Sequence, residues 1–166
     1  SYITYDVTDV LASAASALIS NRTIATIEVS DTAAHIASKF DALQTALNSR
    51  SVSAPSLSFA VTVTDSNPVA LTASQLVSDS GLLTALAGTD ITYSVSGMSA
   101  ASASGSLSSQ IVGVTVSDTA ARIASKLDDL NDLSPDFLTS ITVSDGNPVA
   151  MTFTQYQADT NVISAL

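Results

Sequence analysis

One phrase recurs along this chain and limits what it can fold into: an apolar residue, any residue, Val, then Ser or Thr, then Asp. It stands at Tyr5-Asp6-Val7-Thr8-Asp9, Ile27-Glu28-Val29-Ser30-Asp31 and Val61-Thr62-Val63-Thr64-Asp65. It returns as Tyr93-Ser94-Val95-Ser96-Gly97, with Gly in place of Asp, and as Val114-Thr115-Val116-Ser117-Asp118 and Ile141-Thr142-Val143-Ser144-Asp145. Self-similarity of this kind is the mark of repeat architecture. The two apolar side chains of each phrase sit two residues apart, so an extended strand sends both to one face.

The phrases group into two copies, residues 1–89 and 90–166. Residues 27–44 and 114–131 share the strings VSDTAA and IASK, and 61–71 and 141–151 share NPVA. Ile3-Thr4-Tyr5 matches Ile91-Thr92-Tyr93, and copy one carries an extra stretch, RSVSAPSL, from Arg50 to Leu57. After each second phrase the apolar spacing changes to that of a helix. Ala33, Ile36, Ala37, Phe40, Leu43 and Leu47 form one stripe, and Ala120, Ile123, Ala124, Leu127, Leu130 and Leu133 form its counterpart. Ser30, Asp31 and Thr32, like Ser117, Asp118 and Thr119, are suited to accept the orphan N–H groups of a first helical turn.

The rest of each copy follows the same logic. Asp65-Ser66-Asn67-Pro68 and Asp145-Gly146-Asn147-Pro148 are turn residues, leading into Val69-Ala70-Leu71 and Val149-Ala150-Met151 as a tight hairpin or a short strand. A helix is expected along Ala73, Leu76, Val77, Leu83 and Leu86, stopping at Gly88, and along Phe153, Tyr156, Ile163 and Leu166. Leu11 to Leu18 reads as a helix of small residues, and Met98 to Gly105 as a poorer version, partly loop. Parallel strands joined by right-handed helical crossovers fit this order. Such small units cannot bury their own apolar faces, so neighbours must stack. The expected fold is α/β: strand-turn-helix repeats stacked as a solenoid-like parallel sheet with helices on one face, the copies forming one continuous stack. Val29, Val63, Val95, Val116 and Val143 are then in register and face a shared core. The alternative is two α+β repeat domains, one per copy.

A net charge of −10 and a pI near 4.1 exclude nucleic acid and anionic membranes, which require Lys/Arg patches. The five basic residues, Arg22, Lys39, Arg50, Arg122 and Lys126, are all isolated. With charged residues at 12 %, the polar surface is one of hydroxyls rather than ion pairs. The absence of Cys removes disulfides and thiolate metal sites. No stretch approaches the ~18–20 apolar residues of a membrane span, so membrane insertion is not expected. No signal-peptide pattern opens the sequence. It begins at Ser1, and we expect it to be a piece of a longer protein.

No catalytic constellation emerges. A Ser/His/Asp triad needs a His, and His35 is the single one; it falls on the outward side of its helical stripe, where copy two has Arg122. One His and no Cys do not make a zinc site. The glycines form no phosphate-cradling loop, and Asp128 and Asp129 read as a solvated face. Tyr2, Tyr5 and Tyr93 lie in or beside strand phrases and are expected in the core. The recurrent polar signal is the Asp closing each phrase. Asp9, Asp31, Asp65, Asp118 and Asp145 would line up across strands about 4.8 Å apart. Each can cap the helix or turn that follows it, or part of the row, Asp31, Asp65, Asp118 and Asp145, can offer oxygens to Ca²⁺.

The strings VSDTAAHIASKFDALQ, VSDTAARIASKLDDLN and ITVSDGNPVAMTFTQ resemble the tandem repeats of very large secreted bacterial surface proteins, of the adhesin or S-layer-like type exported by type I secretion. That resemblance implies a non-catalytic structural or adhesive module at the bacterial cell surface, with neighbouring repeats of the same longer chain as partners. It brings no cofactor, since the calcium-binding nonapeptide of such proteins is missing. The alternative function is a glycan- or protein-binding module, with calcium dependence as one form of it.

Overall fold

The computed structural model describes residues 3–51 and 57–166. The chain falls into two compact units, Ser1–Thr92 and Tyr93–Leu166. In the first, β1 (Tyr5–Val10), α1 (Ala12–Ile19), β2 (Ile24–Asp31), α2 (Ala33–Ser51) and β3 (Ser58–Val63) are followed by β4 (Val69–Thr72), α3 (Ala73–Ser78) and α4 (Ser80–Ala85). The second contains β5 (Tyr93–Met98), α5 (Ala100–Ala103), β6 (Ile111–Asp118), α6 (Ala120–Ala124), α7 (Leu127–Asn131) and β7 (Leu138–Val143). It closes with α8 (Phe153–Ala158) and α9 (Thr160–Ala165). The protein is α/β with two parallel sheets. β2 lies between β1 and β3, and β6 between β5 and β7, every one of these pairings parallel. All six phrases lie in strands or run off their ends. The core of the first unit gathers Ile19, Ile27, Ile36, Phe40 and Leu43, and that of the second Ile123, Leu127 and Leu130, all fully buried.

The phrases are not in simple register. Val29 faces Val61 rather than Val63, and Asp31 faces Val63; in the second unit Val116 faces Ile141, and Asp118 faces Val143. A slip of two residues keeps the inward face inward, so Val29, Val61, Val116 and Ile141 are buried. Val63 and Val143 are only half-buried at the sheet ends. The slip carries Asp65 and Asp145 beyond the last paired residue. The expected row of aspartates therefore does not form.

Both first strands contain a bulge, which explains the one phrase ending in Gly. Val7 and Val10 pair with Ile27 and Val29, and Val95 and Met98 pair with Val114 and Val116. One extra residue is thus inserted on β1 and on β5. Asp9 sits there at φ 55° and Gly97 at φ 72°, the left-handed region where Gly carries no steric cost and Asp is tolerated. The turn pair Ser66 (φ 55°) and Gly146 (φ 65°) repeats the pattern. Among the described residues a Cβ on Gly97 would meet nothing within 4 Å, so Gly97→Ala is a backbone test. We expect it to lower stability by about 1–2 kcal/mol in urea denaturation; an unchanged midpoint would contradict the bulge assignment.

Several helices differ from the periodic expectation. α2 is continuous, but its counterpart breaks at Lys126 (φ −125°, ψ 12°) into α6 and α7. The turn tightens there, Lys126 N–H donating to the Ile123 carbonyl at 2.9 Å, while Ala120, Ile123, Leu127 and Leu130 stay buried. The helix after β4 breaks at Asp79 and its counterpart at Asp159, which rotates the buried face. Leu82 and Val162 are buried, whereas Val77, Phe153, Tyr156 and Leu166 are exposed. Val149-Ala150-Met151 forms no strand, unlike Val69–Thr72. Of the tyrosines expected inside, Tyr93 is buried and Tyr5 exposed; Tyr2 lies outside the described residues.

Candidate functional site

The strand-end aspartates cap helices, though not the expected ones. Asp31 Oδ2 accepts the N–H of Ala12 at 3.0 Å, the first residue of α1. Asp65 Oδ1 accepts the N–H of Ala33 at 3.1 Å, the first residue of α2. In the second unit Asp118 Oδ2 takes Ala100 N–H at 3.1 Å, and Asp145 Oδ1 takes Ala120 N–H at 3.1 Å. Each Asp thus reaches sideways to the helix that follows the preceding strand, satisfying a donor the helix cannot satisfy itself. It also lies where negative charge favours the helix dipole. The two-residue slip of β3 and β7 puts Asp65 and Asp145 within reach. Asp9, in its bulge, lies outside this arrangement.

The remaining oxygens hold local structure. Asp31 Oδ1 accepts Thr32 N–H at 2.8 Å and lies 2.7 Å from His35 Nδ1, while Asp118 Oδ1 accepts Thr119 N–H at 2.9 Å and Arg122 Nη1 at 3.5 Å. Asn67 and Asn147 donate to the outer oxygens of Asp65 and Asp145, at 3.0 and 2.9 Å, and brace the turns. Burial by itself would raise the Asp31 and Asp118 carboxyls. The hydrogen bonds outweigh it, chiefly from His35 at Asp31 and from the Thr119 and Ala100 amides at Asp118, and hold both below the ordinary 3.8. The Ala33 and Ala120 amides are the main cause of the same lowering at Asp65 and Asp145.

His35 is exposed on α2 beside a groove of about 280 Å³ lined by Leu11, Ser13, Asp31, Thr32, Ser38 and Lys39. Ser38 Oγ donates to the His35 carbonyl at 2.8 Å rather than to its ring. A larger groove, about 530 Å³, lies in the first unit between the end of β3 and residues 89–92, with Asn67, Asp90 and Thr92 among its lining.

A second set of acids escaped the sequence reading. Asp79 and Asp159, at the α3–α4 and α8–α9 breaks, are 4 % and 5 % exposed, and among the described residues neither Oδ2 has a hydrogen-bond partner. Burial, then the facing carboxyl of Asp41, raises Asp79 above 3.8; burial, then Asp128 and Asp132, raises Asp159. Gln75 Nε2 donates to Asp41 and Gln155 Nε2 to Asp128, each at 2.8 Å. Both glutamines also close capping boxes with Thr72 and Thr152. Asp128 therefore faces a buried acid rather than solvent alone, and Asp129 pairs with Lys126 at 2.8 Å. The sequence signal was available: Thr, then Gln three residues on, then Asp four further, stands in both copies.

These two sets act oppositely on stability. Asp79 and Asp159 have folded pKa values above the unfolded one, so their penalty is absent below about pH 3.8 and grows as pH rises through the folded values. Asp31, Asp65, Asp118 and Asp145 contribute stability above that pH, lost as pH falls through their lowered values. Melting temperature is therefore expected to rise on acidification from pH 7, peak on the acid side, and then fall. Asp79→Asn with Asp159→Asn should flatten the first limb and leave the second. A melting profile unchanged by the double substitution would refute this.

Comparison with protein-family models, with curated proteins and with solved structures found no match.

Proposed function

We propose that this chain is a non-catalytic structural or adhesive repeat module of a secreted bacterial cell-surface protein, with its strand-helix units stacked in solenoid fashion. The observation that carries this reading is the sideways cap. In both copies an Asp at the end of one strand binds the first amide of the preceding helix, so within each copy successive strand-helix repeats are stapled together. Surfaces of Ser and Thr with few charges suit such a role. The cell-surface and bacterial parts of the proposal rest on the resemblance of the repeat strings. The groove beside β3 favours a second reading, a glycan- or protein-binding module. A glycan array separates the two, binding of a defined glycan supporting the second.

In the structural reading the aspartates serve amides rather than a cation. We expect Ca²⁺ and Mg²⁺ at equal ionic strength to give the same melting temperature. A calcium-specific rise, abolished by Asp31→Asn with Asp118→Asn, would instead assign these residues to calcium, since a ligand at a hundredfold excess over its Kd adds about 2.7 kcal/mol.

A further inference from the structure

The four capping aspartates have amides for partners; Asp79 and Asp159 do not. Each is a buried carboxyl whose Oδ2 meets almost no solvent and, among the described residues, no hydrogen-bond donor. Asp41 comes within hydrogen-bonding range of Asp79, and Asp128 of Asp159, so each buried acid is one of two facing carboxyls. No basic side chain offsets them: the ion pairs among the described residues, His35–Asp31, Arg122–Asp118 and Lys126–Asp129, leave all four acids out. A buried carboxylate beside a second one is costly unless something positive stands between them.

One glutamine fixes both members of each pair. Gln75 Nε2 donates to Asp41 Oδ1 at 2.8 Å, while its carbonyl accepts the Asp79 N–H at 2.9 Å. Gln155 does the same for Asp128 and Asp159, at 2.8 and 2.7 Å. Capping boxes with Thr72 and Thr152 hold the glutamines in turn. The arrangement is kept in both copies although the structure around it has changed: α2 is continuous where α6 and α7 are separate, and β4 has no counterpart. In the second unit the pair borders a groove of about 450 Å³, lined by Asp128, Thr152, Gln155 and Asp159 among others. That is room for an ion and its water.

We infer that each pair, Asp41 with Asp79 and Asp128 with Asp159, binds one hydrated divalent cation. The ion supplies the positive charge that both carboxylates lack. Among the described residues no group of three His, Cys, Asp or Glu side chains is placed to hold a metal, so water fills most of the coordination shell. Such a site suits Mg²⁺, which keeps several waters and takes one or two carboxylates, and it has too few protein ligands to prefer Ca²⁺. Both ions are therefore expected to act alike. The assignment goes beyond the module reading and does not depend on it.

Equilibrium dialysis of the full chain against MgCl₂, and separately CaCl₂, tests this, with NaCl in excess to screen diffuse counterions. One ion per copy is expected, half of the binding lost in Asp79→Asn, the other half in Asp159→Asn, and all of it in the double variant. Melting should agree: at equal ionic strength either ion raises the melting temperature of the wild type but not of the double variant. The cation takes the place of a proton, so it should also flatten the rise in melting temperature on acidification. The groups that otherwise cause that rise are Asp41 facing Asp79, and Asp128 with Asp132 facing Asp159. If a buried Asn does not fold, Asp41→Asn and Asp128→Asn make the same test from the exposed member of each pair. No binding to the unaltered protein up to about 10 mM, well above the weakest such sites, or binding that survives the double variant, would overturn the inference. Stabilisation by acid without any ion binding would overturn it too, assigning each pair a shared proton instead.

Discussion

Arg50→Ala is expected to destabilise the first unit by about 2–5 kcal/mol, measured as a shift in the urea midpoint. Arg50 closes α2 as a buried cation, and its guanidinium collects main-chain carbonyls from the α1–β2 connection. Nη1 donates to Ile19 and Asn21, both at 2.9 Å, and Nη2 donates to Ile24. These acceptors lie at the end of α1 and the start of β2, where no regular ladder can satisfy them all. Truncation removes the Arg50 donors from the Ile19 and Ile24 carbonyls, while the Asn21 carbonyl keeps the Ile24 N–H at 3.2 Å, and unsatisfied buried groups cost about 1–3 kcal/mol each. Burial already lowers the Arg50 pKa, which places the charge where these carbonyls must offset its desolvation. Lysine should rescue only in part, since a point ammonium does not reproduce a planar fork. Full rescue by lysine, or a midpoint unmoved by alanine, would remove Arg50 from this role.

Arg50 also shows where sequence reasoning stops. It stands at the head of the stretch that copy two lacks, so comparison of the copies gives it no counterpart, and a lone basic residue carries no periodic signal. The strands and the stripe of α2 were legible because burial imposes periods of 2 and 3.6 on their side chains. That the recurrent Asp caps helices was legible from its chemistry. Which helix it caps was not, because that depends on the two-residue slip of β3 against β2, a long-range property. Gly97 in place of Asp9 was visible, but its meaning needed the bulge. The breaks at Asp79 and Asp159 defeated the helical stripe for a related reason. A period measured across a break assigns the wrong face, which placed Val77, Phe153 and Tyr156 inside and missed Leu82 and Val162.

Ile36→Ala and Ile123→Ala are each expected to cost about 2–5 kcal/mol, the range for truncating a buried Ile and leaving a cavity. They occupy the same place in the two copies, at 1 % and 0 % exposure, so transfer from water contributes equally to both. The cavity contribution should differ. Ile36 belongs to the continuous helix α2, held at its start by Asp65 and at its end by Arg50, and such a helix relaxes little around a void. Ile123 lies in the five-residue helix α6, followed by a break, where the backbone can move to fill part of it. Ile36→Ala should therefore be the more damaging change of the pair. His35→Ala, one residue away, is the control: its side chain is 71 % exposed although its partner Asp31 is buried, and a pair open to solvent on one side is worth about 1 kcal/mol or less. Denaturation of the three variants under one condition gives the order directly. A His35 loss comparable to that of Ile36 would mean that the Asp31–His35 contact carries more than a solvent-facing pair can, and would turn attention to the groove it lines.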